Sequence, residues 1–300
     1  VGEIIIRVGF FLSFGGKMTR TVYVNGVFVD ESDARVSIFD RGFLFADGIY
    51  EVVAVMDGKL IDFDGHMSRL RRSLREIGIP ESMTEDELLE VIRQLVNRNN
   101  LDEGIVYMEI TRGVADRDFV YTGDLEPSVV MFSQVKSLVE NQASREGVRL
   151  RSVEDLRWAR RDIKSVGLLA QVLAKQTAKD AGAYEALMIK DGHVTEGGSS
   201  SAYIIKDDVV ITHPLNNDIL PGITRASLLK LVNANEISLD ERTFTLEEAY
   251  AADEAFITAA STYVCPVVAI DDRPIGDGTV GPVVRKLQQV YLDHARNTAV

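Results

Sequence analysis

Leu156-Arg157-Trp158-Ala159-Arg160-Arg161-Asp162-Ile163-Lys164-Ser165 stands where a β-rich run gives way to a helical one. Upstream, residues 148–153 have strand composition. Downstream, residues 165–181 read as a helix closed by Gly182, with Leu168, Leu169, Val172 and Leu173 on one face and Lys175 and Lys179 on the polar side. Lys164 therefore falls at a strand-to-helix junction beside three arginines. Neighbouring cations disfavour a protonated ammonium and so favour a nucleophilic amine. Asp162 opposes this if it shares a strand face with Lys164. Taken alone, the segment reads more readily as a solvated basic surface.

Further out, the pattern mixes hairpins and helices. Asn25-Gly26, Asp57-Gly58 and Asp191-Gly192 are two-residue turns of the kind that accept positive φ. They sit within residues 21–29, between residues 49–56 and 59–63, and between residues 184–189 and 193–196. Helices are expected over residues 64–77, ended by Gly78, and after the capping box Thr84-Glu85-Asp86-Glu87. Residues 105–111, 128–135, 202–205 and 209–212 read as strands, and a helix starts near Thr224. No regular βαβ alternation appears, so two α+β domains are expected in place of a doubly wound sheet. The expected division is a leader or artificial extension over residues 1–17, with Met18 as the natural start, an N-terminal α+β domain over 18–135, a linker over 136–146, and a C-terminal α/β domain over 147–300 that carries Lys164.

Composition narrows the function. Three hundred residues, 46% hydrophobic and 26% charged, suit a folded chain with a large core. The net charge of -13 and the lack of a basic stripe argue against nucleic acid. A single cysteine, Cys265, in an apolar run rules out an intramolecular disulfide and reads as a buried thiol, which points to a reducing compartment such as the cytoplasm. The four histidines, His66, His193, His213 and His294, are scattered and read as surface or hydrogen-bonded residues, so no metal site is expected. Motifs for serine or zinc hydrolysis, for a phosphate-binding loop and for a dinucleotide fold are missing.

Two other segments could carry chemistry. In Val194-Thr195-Glu196-Gly197-Gly198-Ser199-Ser200-Ser201 a carboxylate at a strand end runs into small residues that let a ligand approach the backbone. The alternative is a plain polar turn. In Ile219-Leu220-Pro221-Gly222-Ile223-Thr224-Arg225 a helix N-terminus offers free N–H groups and a hydroxyl, an anion site if it is more than a threonine cap. An amine for an aldehyde, a cradle for a phosphate and an acid for a ring nitrogen together match pyridoxal 5'-phosphate.

The chain resembles the fold-type-IV pyridoxal-phosphate aminotransferases, the D-amino-acid transaminases most of all. The likeness runs from about residue 21 to 287. It rests on Asp40-Arg41-Gly42-Phe43, Phe45-Ala46-Asp47-Gly48-Ile49-Tyr50-Glu51-Val52-Val53, His66-Met67-Ser68-Arg69-Leu70, Thr111-Arg112-Gly113, Arg157-Trp158 with Asp162-Ile163-Lys164-Ser165, Thr195-Glu196-Gly197 and Gly222-Ile223-Thr224-Arg225. The resemblance implies a two-domain fold with the cofactor between the domains. Lys164 would attach the cofactor and carry the proton, Glu196 would pair with the pyridinium nitrogen, and Arg69, Ile223 and Thr224 would hold the phosphate. Leu220 would pack on the ring, and Arg157 would support the site. Tyr50 would trap the substrate carboxylate together with Arg117 from the neighbouring subunit of a homodimer. D-Alanine with 2-oxoglutarate or pyruvate is the implied substrate pair. Branched-chain L-amino-acid aminotransferase, (R)-amine transaminase and aminodeoxychorismate lyase are the alternatives.

Two departures stand out. The trap reads Arg-x-His in D-amino-acid transaminases, whereas here it is Arg117-Asp118-Phe119, which lacks one donor. Arg41 and Arg112 are nearby cations that could compensate. At Thr258-Ala259-Ala260-Ser261, Ala260 stands where the family has a phosphate-binding hydroxyl, leaving its backbone N–H to donate.

Overall fold

The computed structural model describes residues 20–300, so the expectation for residues 1–17 lies outside the described residues. In the first half, β1 (Thr21–Val24) and β2 (Val27–Asp30) form a hairpin through Asn25 and Gly26, both at positive φ. After the short helix α1 (Arg41–Phe45) come β3 (Gly48–Met56), β4 (Lys59–Leu60), α2 (Phe63–Ile77), α3 (Glu85–Arg98), β5 (Gly104–Thr111) and β6 (Ser128–Val135). The six strands make one antiparallel sheet in the order β2-β1-β6-β5-β3-β4.

Strand alternation gives this sheet two buried faces. Val53 and Val55 of β3 pack with Met67, Leu70 and Leu74 of α2 and with Ile92 and Leu95 of α3. Ala54 and Met56, on the opposite face, pack against residues of the second half, among them Tyr203, Leu228, Leu287 and Tyr291. The start of α3 is the expected capping box: Thr84 N donates to Glu87 Oε2 at 2.7 Å, and Glu87 N returns a bond to Thr84 Oγ1.

Residues 136–147 lead to the second sheet and include α4 (Gln142–Glu146). Within them Leu138 is buried and its N–H is held by Glu103. The second half then runs β7 (Val148–Glu154), α5 (Leu169–Asp180), β8 (Glu185–Lys190), β9 (His193–Gly197), β10 (Ser201–Lys206), β11 (Val209–Thr212), α6 (Ile223–Ala234), β12 (Ser238–Glu241), α7 (Leu246–Tyr250), β13 (Glu254–Ala259), β14 (Tyr263–Ile270), β15 (Arg273–Pro274) and α8 (Pro282–Thr298). Its nine strands form a mixed sheet ordered β12-β11-β10-β13-β14-β7-β8-β9, with β15 on β14. The β7–β8, β7–β14 and β11–β12 pairs are parallel. Cys265 is buried in β14, and burial pushes its thiol up to about 12.

One local expectation needs correction. The helix after Lys164 begins at Leu169, not Ser165. Residues 164–166 run along β3 instead: Tyr50 N donates to Lys164 O at 3.0 Å, and Val166 N donates to Gly48 O at 3.1 Å. The apolar face of α5 is turned outward. Leu169, Val172 and Leu173 are 72%, 58% and 57% exposed, while Ala174 and Ala178 make the buried contact.

Candidate active site

A cavity lined by both halves collects Tyr50, Arg69, Lys164, Glu196, Leu220, Ile223, Thr224 and Ala260. The pairing of residues 164–166 with β3 explains how Lys164 reaches it. That short bridge sets Lys164 beside Tyr50, and Lys164 Nζ lies 4.1 Å from the centre of the Tyr50 ring.

Glu196, at the end of β9, is buried and accepts hydrogen bonds from Leu220 N at 3.1 and 3.2 Å. Arg157 donates to its Oε1. Burial pushes the Glu196 carboxyl above the usual carboxylate range, and the Arg157 guanidinium draws it back without cancelling the rise. Arg157 is itself fixed by Asp155, with Nε and Nη2 bonds of 2.9 and 2.7 Å.

The arginines read as a cation cluster around Lys164 are each paired with carboxylates. Arg157 is held by Asp155 and Glu196, Arg160 by Asp162 and Glu76, and Arg161 by Asp218 and Asp155. Asp162 is occupied by Arg160 and Arg72, away from Lys164. Each positive charge thus has a carboxylate in contact, which cancels most of its field at the lysine.

Across the cavity, Arg69 is locked in a buried network. Its Nε and Nη2 donate to the two oxygens of Glu51, both at 2.8 Å, and its Nη1 donates to Pro221 O at 2.9 Å. His66 Nδ1 is 2.7 Å from Glu51 Oε2. Burial would raise the Glu51 carboxyl, but the Arg69 charge and the bonds from Arg69 and His66 outweigh it and hold it well below its ordinary range. The Pro221 bond brings the guanidinium to the start of α6, where Gly222 is the N-cap and makes no side-chain cap bond. The first N–H groups of that helix are therefore free of an internal partner. A Cβ on Gly222 would meet Ser201 Oγ at 2.8 Å, so glycine leaves the turn open. Ala260 reaches the cavity without a hydroxyl, but the next residue, Ser261, lines it too.

Sequence reasoning missed several members. Glu51 and His66 were visible only as letters within motifs, since their pairing depends on β3 lying against α2. Ser261 and Gln171 gave no local signal. Ser200 has a buried Oγ without a hydrogen-bond partner, and it too lines the cavity.

Arg117 is not brought to the cavity of its own chain. It is exposed, and its guanidinium lies 5.5 and 5.8 Å from the Phe45 and Phe119 ring centres. Arg41 and Arg112 do not compensate for Phe119. Arg41 donates to Asp47 and to the carbonyls of Asp118 and Phe119, and Arg112 binds Asp47 and the carbonyls ending α2. Arg41 thus braces the loop that carries Arg117, and Arg112 stacks on Tyr121 of the same loop at 3.7 Å.

Residues 48–270 match the family model described as amino-transferase class IV. The D-alanine aminotransferase of Staphylococcus aureus (strain MSSA476) is 43% identical over 280 residues, covering 93% of this chain and 99% of that protein. The branched-chain amino acid aminotransferase of Escherichia coli superposes with a TM-score of 0.86 at 25% identity, covering 92% of this chain and 95% of that one. A second branched-chain amino acid aminotransferase, solved with pyridoxamine 5'-phosphate, gives a TM-score of 0.85 at 26% identity, covering 93% of this chain and 95% of that one. The branched-chain aminotransferase of the archaeon Thermoproteus uzoniensis, solved with norvaline, gives 0.83 at 27% identity, again covering 93% and 95%.

Proposed function

The chain belongs to the class IV aminotransferases, and from that premise we propose that it transfers the amino group of a D-amino acid, D-alanine foremost, to a 2-oxo acid such as 2-oxoglutarate or pyruvate. The observation that carries this reading is the 43% identity to a D-alanine enzyme over nearly the whole chain, against 25% to a branched-chain enzyme of the same fold.

The family works with pyridoxal 5'-phosphate. The cavity suits that group: an amine, a buried carboxylate and a guanidinium beside an open helix N-terminus all face it. When bound, the cofactor supplies an aldehyde that takes up amines and a ring that draws electrons from the α-carbon. Lys164 is the attachment point, and its Nζ holds and returns the proton that moves during transfer. Glu196 carries the counter-charge for a protonated ring nitrogen, and Arg157 keeps it oriented. Arg69, pinned by Glu51, would offer its remaining N–H groups to the phosphate, joined by the N–H groups of Ile223 and Thr224 and the Thr224 hydroxyl. The Ala260 N–H and the Ser261 hydroxyl close the cradle. Leu220, which lines the cavity, would pack against a ring face. Tyr50 orients the substrate carboxylate.

Since Arg117 lies outside its own cavity, its place in the carboxylate trap requires a second copy of the chain. The exposed apolar stripe of α5 supports a homodimer. A cytoplasmic enzyme fits the buried, unpaired Cys265. Among the described residues no helix is long and apolar enough to cross a membrane. Phe119 favours a second reading, transamination of (R)-amines, because a ring in place of a donor suits a substrate without a carboxylate.

The test is pyruvate formation from D-alanine with and without 2-oxoglutarate. Pyruvate beyond one equivalent per active site is expected only with the acceptor. Pyruvate released from aminodeoxychorismate with no acceptor would move the enzyme to the lyases.

A further inference from the structure

We propose that Tyr291, on the C-terminal helix and away from the cavity, is a positioning residue that holds the parts of the phosphate cradle in register through Asp62, Ser227 and Tyr263. The proposal rests on the reading of Arg69, Thr224 and the turn at Ala260 as that cradle.

Asp62 is the N-cap of α2, the helix that carries Arg69. An aspartate there ordinarily accepts a bond from the first turn of its own helix. Asp62 makes no such bond and sits in the left-handed region at φ 53°. Both of its oxygens face other elements: Oδ1 accepts from Ser227 Oγ at 2.7 Å, and Oδ2 from the Tyr291 hydroxyl at 2.9 Å. Ser227 lies on α6, one turn beyond Thr224, so Asp62 ties the Tyr291 hydroxyl to that helix. The Tyr291 ring packs against Tyr263 with centres 5.5 Å apart. Tyr263 directly follows the 259–262 turn and has φ 50°, a conformation that a bulky side chain rarely adopts without support.

One phenol that is 1% exposed thus joins the three elements from which Arg69, Thr224 and Ala260 reach the cavity. Burial and the adjacent Asp62 carboxylate push the Tyr291 hydroxyl well above its ordinary range, so it remains a donor across the working pH. An anion site built from separate elements depends on such support, since its donors converge only if the elements stay aligned.

The test uses the full chain, purified, stripped of cofactor and titrated separately with pyridoxal phosphate and with pyridoxal, which lacks the phosphate. The returning absorption of the bound aldehyde reads each affinity. Tyr291→Phe keeps the ring on Tyr263 and removes only the hydroxyl, and Ser227→Ala cuts the same strut from the other side. Each variant is expected to bind pyridoxal phosphate about tenfold more weakly, as for one lost charge-assisted bond, with pyridoxal unchanged. Equal losses for both ligands, or no loss in either variant, would overturn the proposal. A wild-type protein that binds the two ligands equally, with Arg69→Met no different, would overturn the cradle reading beneath it.

Discussion

At position 119 the chain carries an exposed ring where a carboxylate clamp would use an N–H. A missing charge-assisted hydrogen bond costs about 1.5–3 kcal/mol, or roughly ten- to a hundredfold in affinity. Phe119→His should therefore raise kcat/KM for D-alanine by about tenfold. A steady-state assay that finds no gain would remove the clamp explanation. A second residue-scale effect lies at Asp155. Burial works to raise its carboxyl, but Arg157, Thr195 and Arg161 hold it at about 2, below the ordinary 3.8. A depressed carboxylate contributes stability that is complete above its unfolded value and is lost as the pH falls through the folded one. The wild-type Tm should accordingly drop between about pH 4 and about pH 2, and Asp155→Asn should start lower and follow a flatter profile there. Parallel profiles for the two proteins would assign the acid loss elsewhere. At this scale the sequence was informative about residue type and poor about partners. Lys164 and Glu196 stood out from their neighbours, whereas Arg69 entered only through the family resemblance. That the arginines near Lys164 would be neutralised was not legible, because Glu76 and Asp218 come from distant parts of the chain.

Among the elements, those defined by local chemistry were the readable ones. Asn25-Gly26, Asp57-Gly58 and Asp191-Gly192 all adopt positive φ. Thr84 and Glu87 form the expected box, and Gly78 ends α2 in the left-handed conformation. The stretch after Lys164 escaped because its extended form is dictated by β3, far away in sequence. Helical propensity wins only from Leu169 onward. The face of α5 is a different case. Its periodicity is plain in the sequence, yet periodicity says that a face is apolar and not what covers it. With Leu169, Val172 and Leu173 exposed in the single chain, a second copy is the covering surface in this reading. Leu173→Glu is expected to shift the protein from dimer to monomer in sedimentation velocity, with its far-UV circular dichroism retained. A variant that remains dimeric would place the interface elsewhere.

For the molecule as a whole, two sheets share one buried layer, and the cavity opens where β3 meets the segment that carries Lys164. The chain is acidic overall at -13, while Arg69, Arg157, Arg161 and Lys164 line that cavity. Of these, Arg157 and Arg161 are paired with carboxylates, which leaves Lys164 and the outer N–H groups of Arg69 as the positive groups offered to a small anionic acid. The general architecture, two α+β halves, was legible from hairpins, caps and motif order. Handedness of the substrate was not, since it depends on which side of the cofactor plane the carboxylate is trapped. The most direct measurement is the absorption spectrum of the cofactor-loaded protein mixed with D-alanine and, separately, with L-leucine. Loss of the bound-aldehyde absorption with D-alanine and none with L-leucine is the expected result. Loss with L-leucine alone would contradict the D-amino-acid assignment and move the chain to the branched-chain enzymes that it resembles in fold.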